Sequence, residues 1–518
     1  MGRYLNPTYN GFEEARNSEI YVDKSGLIDI TNKYLGTQTK YICISRPRRF
    51  GKTMAARMLT AYYCKGYDSR FLFDDLQIAH TQNYNKYINK FNVLFLNIEN
   101  FRVKTRDIDE MISYLQKEVI SELGETYSEI SGEKFLSDAL EKIFIKHNEK
   151  FVVIIDEWDS VFREYRDKPE YQKQYLDFLK DMLKDRDYAA LAYMTGILPI
   201  RKYGTHSALN MFSEFSMLRM KGFSEYTGFT TSEVKTLCDS NNVDFNKMER
   251  WYNGYLIENR HIYNPQSVVN SISEKSFENY WTRTETFEAL KYYIDLNVEG
   301  LKDDVVKLIS GQKIKINPLR FANDMSTFNS KDDIFTLLVH LGYLSFDGGT
   351  SEVFVPNEEI KTEFANAVEG SEWGDISKAI ESSDKLLEAT LALDETSVAR
   401  YIDAAHSSNT AILKYNDENS LSCVIAIAYY TASKFYKVVR ELPAGKGFAD
   451  MVFVPRKNVD KPALLIELKW DDSAESALQQ IKNKNYVGAL DEYKGNILLV
   501  GINYDKTSKK HICKIERA

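Results

Sequence analysis

The sequence has no hydrophobic run long enough to cross a membrane, and it has few of the residues that form disulfides or zinc sites. Its 518 residues include five cysteines and seven histidines, none of them in C-x-x-C, H-x-x-H or H-E-x-x-H spacing. No stretch of about 18 apolar residues occurs, and the N-terminus has no apolar segment after a basic one. We therefore expect a cytoplasmic protein with reduced thiols and no membrane partner, in which any metal is a hard ion bound by carboxylates.

An excess of positive charge is also absent, since the formal net charge is −8. Nucleic-acid binding would need a local basic surface, so the composition neither predicts nor excludes a DNA partner. The hydrophobic content of 43% and the charged content of 27% are ordinary for a soluble protein. A chain of this length accommodates about three domains.

The segment KYICISRPRRFGKT, residues 40–53, predicts a buried strand, a loop and the start of a helix. Gly51, Lys52 and Thr53 have the order of the end of a P-loop. In such a loop, backbone N–H groups hold phosphate oxygens, the lysine neutralises the outer phosphates and the threonine hydroxyl is a Mg²⁺ ligand. The three residues alone are a weak signal, and their context has to support an ATP site.

Arg46 stands where the pattern G-x-x-x-x-G-K-[ST] has its first glycine. Pro47 follows it and favours an extended backbone at Arg46, so we expect the strand to continue before the loop turns. Two roles remain open for Arg46. It either fills an extended position that a glycine would also tolerate, which we favour, or reaches a phosphate as part of the nucleotide site.

The context is an apolar run at residues 151–155, followed by Asp156 and Glu157. Such a run is typical of a central parallel strand, and the carboxyl ends of these strands are where open α/β sheets bind ligands. We expect Asp156 to hold Mg²⁺ through water and Glu157 to polarise the water that attacks the γ-phosphate. A solvated acidic turn is the alternative for this pair alone, but together with Lys52 the nucleotide interpretation is favoured.

Further residues are expected to act on the phosphate groups. Thr195 ends a third apolar strand, where its hydroxyl could contact the γ-phosphate or the attacking water. Arg48, Arg49, Arg201 and Lys202 are candidates for stabilising charge on the transferring phosphoryl group. For each of these cations a solvated surface position is an equal alternative.

Strands alternate with helices through the first 222 residues, which predicts a parallel α/β sheet. A strand between the loop and the acidic strand, with a polar-tipped strand after it, resembles the additional-strand, AAA-like class of P-loop ATPases. A strand-like segment at residues 20–24 precedes the loop and is expected to contribute to a nucleotide base pocket. The other expected strands lie at residues 91–101, 151–155, 190–200 and 215–220, and the helices at 53–64, 107–123, 134–147 and 171–184.

The middle of the chain, residues 223–370, is mainly helical and predicts a lid followed by a winged-helix-like unit. An apolar helix precedes the strand LGYLSF, the turn Asp347, Gly348 and Gly349, and the return strand EVFVP. Winged helices either bind DNA or pack against other domains. Because few basic residues occur in this unit, we favour packing.

The C-terminal residues 417–518 predict a helix, three strands, a helix and a strand, and residues 371–416 predict a helical connector. This order resembles the PD-(D/E)XK nuclease core. Asp450 lies on the second strand, and Glu467 and Lys469 share one face of the third. The carboxylates of Asp450 and Glu467 would hold Mg²⁺ or Mn²⁺, and Lys469 would position water or neutralise charge. Alternating charges on an ordinary strand are the alternative for Glu467 and Lys469 alone.

The motifs YVDKSGLI, SRPRRFGKT, VVIIDEWD, YMTGILPI, GFTTSEV, WYNGYLI, YNPQSVVNSI and LGYLSF resemble, in this order, the bacterial AAA-ATPase-like family. Its members commonly carry a C-terminal domain of the PD-(D/E)XK nuclease superfamily. The resemblance implies that an arginine is normal at Arg46, and that Glu441, Glu418 and Gln480 support the nuclease site. It also implies a basic residue where this chain has Phe448.

Three functions are compatible with these features. The first, which we favour, is an ATP-dependent nuclease that acts on DNA in defence or in the processing of mobile elements, and a homo-oligomer is compatible with it. The second is an ATP-driven signalling or assembly switch whose nuclease-like domain binds nucleic acid without cutting it. The third is a DNA-binding regulator without catalysis, against which the retention of Lys52, Thr53, Asp156 and Glu157 argues.

Overall fold

The computed structural model describes most of the chain, with short gaps. The described residues are 2–200, 202–203, 206–207, 209–281, 287–322, 325–326, 328–368, 373–409, 418–444, 447–456, 459–484, 486, 490, 493 and 495–518. Only the backbone is described for residues 202–203, 206–207, 287, 374–375, 407–409, 418–420, 443–444 and 447.

The helices and strands are numbered here in chain order. The α-helices are α1 (Asn10–Arg16), α2 (Gly26–Tyr34), α3 (Lys52–Tyr63), α4 (Tyr84–Tyr87), α5 (Ile98–Arg102), α6 (Ile108–Thr126), α7 (Leu136–His147), α8 (Ser160–Glu164), α9 (Pro169–Leu183), α10 (Thr231–Asn241), α11 (Phe245–Tyr252), α12 (Pro265–Glu274), α13 (Phe287–Ile294), α14 (Leu301–Ile309), α15 (Lys331–Leu341), α16 (Glu358–Val368), α17 (Gly374–Leu391), α18 (Glu395–Asn409), α19 (Glu418–Ala428) and α20 (Ala474–Asn483). The strands are β1 (Tyr41–Ser45), β2 (Asn92–Asn97), β3 (Phe151–Asp156), β4 (Ala189–Gly196), β5 (Lys202–Tyr203), β6 (His206–Ser207), β7 (Ser213–Phe215), β8 (Phe229–Thr230), β9 (Tyr255–Ile257), β10 (Arg260–Tyr263), β11 (Ile314–Lys315), β12 (Ser345–Asp347), β13 (Glu352–Phe354), β14 (Tyr436–Ala444), β15 (Gly447–Pro455), β16 (Ala463–Trp470), β17 (Ile497–Asp505) and β18 (Lys510–Arg517).

The chain forms two compact units, each built from two segments. The first comprises Met1–Thr284 and Lys315–Ile360, and the second comprises Glu285–Ile314 and Lys361–Ala518. This division does not test the four-domain prediction, so the internal boundaries at residues 222, 370 and 416 stay predictions. Within the described residues, no helix is long and apolar enough to cross a membrane.

A parallel five-stranded sheet forms the core of the first unit. Its strand order is β2-β3-β4-β1-β7, and every neighbouring pair is parallel. Every residue of β1, β3 and β4 is buried, which is the expected result for apolar runs covered by helices on both faces. Because β4 separates the loop-bearing β1 from the acidic β3, the predicted additional-strand α/β fold is confirmed.

Local capping sets several helix boundaries in this unit. The Asp107 side chain accepts a hydrogen bond from the backbone N–H of Glu110 and begins α6. Thr230 and Glu233 form a reciprocal capping box at the start of α10. Gly51 precedes α3 with φ of 82°, a left-handed conformation that glycine adopts without steric cost.

The predicted hairpin of the middle segment is present. Helix α15 is followed by β12 and β13, which pair antiparallel across the Asp347, Gly348 and Gly349 turn region. The Asp347 side chain accepts a hydrogen bond from the N–H of Gly349 at 2.9 Å, as expected for an Asx turn.

Three predicted strands differ from the structure. The strand expected at 91–101 is a strand only over β2, and α5 begins at Ile98. Residues 20–24 are not a strand, because Asp23 holds this segment through side-chain bonds to the amides of Ser25 and Gln77 instead of a backbone ladder. The strand expected at 215–220 is realised as the short β7, after which Ser216 and Arg219 close a tight turn on each other.

The second unit contains a mixed sheet with the order β14-β15-β16-β17-β18. Helix α19 precedes β14, and α20 connects β16 to the parallel strand β17, so the predicted nuclease-like order is present. Strand β18 was not predicted. The helices of the expected connector pack within this unit, since Thr390 of α17 bonds Tyr429 and Asp403 of α18 bonds His511 of β18.

Candidate functional sites

The phosphate loop lies between β1 and α3, and its lysine side chain is folded back over the loop. The Arg46 N–H donates to the Gly196 carbonyl at 3.0 Å, so the β1–β4 pairing continues one residue beyond β1 as expected. Lys52 Nζ donates to the carbonyl oxygens of Arg46 at 2.9 Å and Pro47 at 2.8 Å. Burial lowers the pKa of Lys52, and the nearby Glu157 carboxylate acts in the opposite direction. The ammonium therefore has replaceable carbonyl partners in a partly dehydrated position.

A cavity of about 620 Å³ opens beside this loop. Its polar wall contains five loop and helix residues and the carboxylate that follows β3, namely Arg48, Arg49, Gly51, Lys52, Thr53 and Glu157. Its apolar wall contains Phe12, Ile20, Val22, Met54, Met58, Phe229 and Val269. The segment at residues 20–24 thus reaches the cavity although it is not a strand. A polar end joined to an apolar end suits a phosphorylated ligand with a flat, weakly polar base.

Asp156 is fully buried at the end of β3 and is held by three donors. The Thr195 hydroxyl donates to its Oδ1 at 2.6 Å, the Glu157 N–H donates to Oδ1 at 3.1 Å, and the Asn97 amide donates to Oδ2 at 3.4 Å. Thr195 therefore orients Asp156, and neither of these two buried side chains is part of the cavity wall. Sequence reasoning missed Asn97, which ends β2 directly opposite Asp156. Its position at the end of an apolar run was the signal that could have found it.

Glu157 lies just beyond β3 in a left-handed conformation, with φ of 53°. Its Oε2 accepts a hydrogen bond from Arg163, whose Nε lies 3.5 Å from Asp159 Oδ2. Burial raises the pKa of Glu157, the Asp159 carboxylate raises it further, and Arg163 acts against both. Sequence reasoning missed Arg163 and Asp159, although Asp159 is the third acid of VVIIDEWD.

Asp159 supports the end of β4. Its Oδ2 accepts hydrogen bonds from the backbone N–H groups of Ile197 at 3.0 Å and Leu198 at 2.9 Å. The side chain is completely buried. It therefore links the acidic turn after β3 to the neighbouring strand that carries Thr195.

Of the two roles left open for Arg46, the contact with the nucleotide does not fit the position of its side chain, which is fully buried and does not line the cavity. Its guanidinium donates to Thr227 Oγ1 at 2.9 Å, the Ser224 carbonyl at 3.0 Å and Met217 Sδ at 3.3 Å. Because burial is offset only by neutral partners and the more distant Glu258, the pKa of Arg46 falls to about 9. Arg46 therefore ties the loop to residues 217–227.

The other cationic side chains predicted to act on the phosphate groups differ in whether the structure places them at the cavity. Arg48 and Arg49 line the cavity, and Arg49 has a left-handed backbone with φ of 67°. Arg201 and the side chain of Lys202 lie outside the described residues, as does the Glu418 side chain.

In the second unit, Asp450, Glu467 and Lys469 lie together. The last paired residues of β15 and β16 are Met451 and Ile466, and Asp450 Oδ2 then accepts a hydrogen bond from the Leu468 N–H at 2.7 Å. Lys469 Nζ lies 3.8 Å from Glu467 Oε1. The predicted two carboxylates and ammonium therefore share one site on adjacent strands.

Glu467 is 1% exposed, and the Gln480 amide of α20 donates to its Oε1. Burial raises the pKa of Glu467 to about 7, and the neighbouring Asp450 charge acts in the same direction. Within the described residues, no donor contacts its second oxygen, Oε2. A buried carboxylate oxygen without a partner is costly unless a proton or a cation satisfies it.

The donor set fits a hard divalent cation. No group of three or more His, Cys, Asp and Glu side chains is arranged for a metal in the part of the chain that the structure describes. Asp450 and Glu467 would therefore need water or backbone oxygens to complete the coordination. Mg²⁺ accepts this arrangement, because it commonly keeps several waters and takes one or two protein carboxylates.

Two other residues named from the resemblance flank this site. Glu441 lies on β14 between the residues paired with Ala449 and Met451, and its backbone has φ of 50°. Phe448 is on β15 and is 61% exposed, where the resemblance implied a basic residue.

Comparisons with known proteins agree with this division of chemistry. Residues 9–205 match the family model of the predicted AAA-ATPase, and residues 416–514 match that of the PD-(D/E)XK nuclease superfamily. An uncharacterized protein in the vnfD 5′ region of Azotobacter chroococcum mcd 1 is 24% identical over 273 residues, which cover 51% of this chain and 51% of that protein. The chain thus spans about half the length of the curated relative that it matches.

The solved structure of the Aeropyrum pernix ORC2 protein in ADPNP–ADP complexes is 12% identical and covers 68% of this chain and 96% of its own, with a TM-score of 0.33. At that score the likeness carries no argument, and the fold assignment rests on the strand order. Two segments of the chain thus match the families that the sequence motifs resemble, the predicted AAA-ATPase family over residues 9–205 and the PD-(D/E)XK nuclease superfamily over residues 416–514.

Proposed function

We propose that this protein binds and hydrolyses ATP at the phosphate loop and cleaves DNA phosphodiester bonds at Asp450, Glu467 and Lys469. The biological setting that we propose is defence against foreign DNA or the processing of mobile elements. The observation that carries the proposal is the buried Glu467, whose Oε2 has no donor among the described residues and whose neighbours are a second carboxylate and an ammonium.

At the loop, Lys52 would exchange its bonds to the Arg46 and Pro47 carbonyls for phosphate oxygens. This exchange costs little, because both carbonyls lie in the same loop and the ammonium is already largely dehydrated. The N–H groups at the start of α3 would hold phosphate oxygens. Thr53 would hold Mg²⁺ directly and Asp156 would hold it through water, and the cation would supply neutralising charge on the β- and γ-phosphates.

Glu157 would accept the proton of the attacking water. Its raised pKa makes it a stronger base than an ordinary glutamate, provided that it is ionised. Its bond to Arg163 holds the carboxylate in one orientation and favours the ionised form. Arg48 and Arg49, which line the same cavity, would stabilise charge on the transferring phosphoryl group.

In the nuclease domain, Asp450 and Glu467 would hold Mg²⁺ or Mn²⁺, which when bound activates a water and polarises the phosphodiester. Gln480 fixes the orientation of the Glu467 carboxylate. Lys469 would neutralise the charge that develops on the phosphorus oxygens. Glu467 must be ionised to hold the cation, and the Lys469 ammonium favours the ionised form.

The test is incubation of the purified protein with linear duplex, circular and single-stranded DNA, with and without ATP and with Mg²⁺ or Mn²⁺. We expect metal-dependent cleavage of at least one form, and loss of that cleavage in Asp450→Ala. A protein that binds Mn²⁺ and hydrolyses ATP but leaves every DNA and RNA form intact would support the switch function instead.

A further inference from the structure

Helix α20 lies directly against the sheet at the level of Glu467. Glu467 of β16 pairs with Gly501 of the parallel strand β17. A Cβ atom at residue 501 would lie 2.3 Å from the Ala474 carbonyl oxygen and 3.1 Å from Ala477 Cβ, so only glycine fits beneath the helix here. This close approach brings the Gln480 amide to the Glu467 carboxylate. The side of α20 that carries Gln480 therefore faces the nuclease site.

Lys484 lies one turn beyond Gln480 on the same side of α20. Its backbone N–H donates to the Gln480 carbonyl at 3.0 Å, so the helical turn extends to Lys484. Residues four apart on a helix are neighbours on its surface. The Lys484 side chain is partly buried, whereas Lys482, on the other side of the same turn, is exposed and forms an ion pair with Glu516. Only the first of these two lysines faces the nuclease site.

The Lys484 ammonium is close enough to act on the buried carboxylate. Burial raises the pKa of Glu467, and the charges of Lys469 and Lys484 both act in the opposite direction. The Nζ atom of Lys484 lies 5.7 Å from the centroid of the Tyr486 ring, which is completely buried. The ammonium is therefore held at the edge of the apolar core, beside the proposed metal-binding residues.

Lys484 differs from Lys469 in its partners. Lys469 Nζ lies 3.8 Å from Glu467 Oε1. Among the residues that the structure describes, no acidic side chain forms an ion pair with Lys484. A partly buried ammonium gives up some of its hydration, and an anionic ligand compensates for that loss. A phosphate group is such a ligand, which lysine binds as a compact point charge.

We propose that Lys484 binds a backbone phosphate of DNA next to the scissile phosphate and so positions the strand over the metal-binding carboxylates. Lys469 is the cation nearer to Glu467 and acts on the scissile phosphate itself. Lys484 lies one helical turn, about 5.4 Å, beyond the glutamine that contacts Glu467, so it suits a flanking phosphate. This inference rests on the proposed nuclease site and adds a residue that binds its substrate.

The experiment measures DNA binding by the full-length protein apart from cleavage. Fluorescence anisotropy with Ca²⁺ in place of Mg²⁺ uses a single strand of about 12 nucleotides and a blunt duplex of the same sequence. Each titration is repeated at several salt concentrations, and a denaturing gel confirms that the strands stay intact. The variants are Lys484→Gln, Lys484→Arg and the control Lys482→Gln, which removes the same charge from the same turn of α20.

The expected results refer to the DNA form that the wild type binds more tightly. Lys484→Gln should weaken binding by about 5- to 50-fold, as expected for a charged hydrogen bond. The slope of log affinity against log salt should become shallower by about 0.7 to 0.9, which is the value for one phosphate contact. Lys484→Arg should retain most of the affinity, and Lys482→Gln should keep the wild-type slope. No binding of either probe by the wild type, an unchanged slope in Lys484→Gln, or an equal loss in Lys482→Gln would overturn the inference.

A series of strands with one neutral methylphosphonate linkage locates the contacted phosphate. One position should weaken binding by the wild type but not by Lys484→Gln, because the variant has already lost that contact. In cleavage assays with Mg²⁺, Lys484→Gln should raise KM more than it lowers kcat. A lower kcat with unchanged KM would overturn the inference, because Lys484 would then act through Glu467. A lower Tm with unchanged DNA affinity would also overturn it, because the role would then be structural.

Failure of this inference is distinguishable from failure of the proposed nuclease. If Lys484→Gln loses the salt-dependent contact but the wild type cuts nothing with Mg²⁺ or Mn²⁺, phosphate binding stands and cleavage fails. If the wild type cuts DNA and Lys484→Gln cuts and binds every form equally well, cleavage stands and phosphate binding by Lys484 fails.

Discussion

Arg46 occupies a position where a P-loop usually has glycine, and its side chain points into the protein instead of toward the cavity. Its three hydrogen-bond partners are neutral groups of residues 217–227. A buried cation without a bonded carboxylate is expensive, which its lowered pKa of about 9 reflects. In return, the Arg46 side chain anchors the loop backbone, whose carbonyl oxygen accepts a hydrogen bond from Lys52, to residues 217–227.

Arg46→Gly should therefore lower stability, contrary to the tolerance expected from the sequence. Loss of the side chain leaves a cavity and an unsatisfied Ser224 carbonyl, which together should cost about 2–4 kcal/mol in the free energy of unfolding. The measurement is urea unfolding without nucleotide. The transition of the first unit is identified beforehand as the one that added ATP moves to higher urea concentration. Arg48→Gly is the control, because Arg48 lines the cavity and its loss should mainly weaken nucleotide affinity. A stable Arg46→Gly protein with a tenfold weaker ATP affinity would restore the phosphate-contact role.

Glu157→Gln should bind ATP but hydrolyse it about 100-fold more slowly, because the amide cannot accept the proton of the attacking water. Nucleotide titration and a steady-state ATPase assay measure the two properties on the same preparation. Lys52→Ala is the matched comparison and should lose binding as well. Full turnover in Glu157→Gln would show that another group acts as the base.

The pH dependence of ATP hydrolysis should reveal the Glu157–Arg163 pair. Burial raises the pKa of Glu157 and Arg163 lowers it, so removing Arg163 raises the pKa further. The base must be ionised, and activity is lost as the pH falls through its pKa. In Arg163→Gln the acid limb of the kcat profile should therefore move to higher pH, whereas Arg166→Gln, an exposed neighbour, should leave it unchanged. An unmoved or lowered acid limb in Arg163→Gln would contradict the assignment.

At the scale of elements, each site lies where neighbouring strands stop pairing with each other. In the first unit, Asn97, Asp156 and Thr195 mark the ends of β2, β3 and β4, and their side chains meet. In the second, β15 and β16 separate beyond Met451 and Ile466, and the carboxylates lie just past that point. Where pairing stops, backbone groups lack a partner on the next strand and a side chain can bond them, as Asp450 does with the Leu468 N–H.

The stability of the metal-free second unit should depend on the ionisation of Glu467. The pKa of Glu467 is raised from 4.5 to about 7 in the folded protein, so the stabilising contribution of the protonated carboxyl is complete below pH 4.5 and disappears as the pH rises through about 7. Glu467→Gln cannot ionise. In EDTA, the difference obtained by subtracting the Tm of the wild type from the Tm of Glu467→Gln should therefore be larger at pH 8 than at pH 5.

Differential scanning calorimetry at both pH values, repeated with Mg²⁺, provides the measurement. Added Mg²⁺ should stabilise the wild type at pH 8 and have less effect on Glu467→Gln, since cation binding requires the ionised carboxylate. Glu475→Gln, an acidic residue of α20 with a side chain outside the site, serves as the control. A Tm difference between wild type and Glu467→Gln that is the same at pH 5 and pH 8 would contradict the raised pKa.

The sequence predicted those parts of the fold and sites that depend on local patterns. Apolar runs identified β1, β3 and β4, and period-two spacing placed Glu467 and Lys469 on one face. The partners of Arg46 lie more than 170 residues away, so no local pattern could reveal that its side chain is buried. Arg163 was missed for a different reason, because a charged residue on a short helix is usually solvated and only the turn at Glu157 brings the two together.

The predicted strand at residues 20–24 was wrong because, as for Arg46, the local sequence does not show the partners of the segment. A strand needs a pairing partner, and alternating side chains do not show whether one is present. Here Asp23 satisfies neighbouring amides, and the freed segment lines the cavity with Ile20 and Val22. The role expected for this segment depended on its position in the chain, and its side chains do reach the cavity.

At the scale of the whole molecule, the chain carries two chemically different sites in two compact units. In the first unit Lys52 and Glu157 line a cavity, and in the second Asp450, Glu467 and Lys469 lie on adjacent strands. The residues named here for each site all belong to one unit. Substitutions at one site should therefore leave the chemistry of the other intact. A substitution at one site that changes the reaction rate at the other would show that the two sites are coupled.

The most direct test assays ATP hydrolysis and DNA cleavage on the same preparations of wild type, Lys52→Ala and Asp450→Ala with Mg²⁺ or Mn²⁺. Lys52→Ala should lose ATP hydrolysis and any ATP-dependent part of cleavage, and Asp450→Ala should lose cleavage but hydrolyse ATP at the wild-type rate. Cleavage that persists in Asp450→Ala, or ATP hydrolysis that persists in Lys52→Ala, would contradict the account.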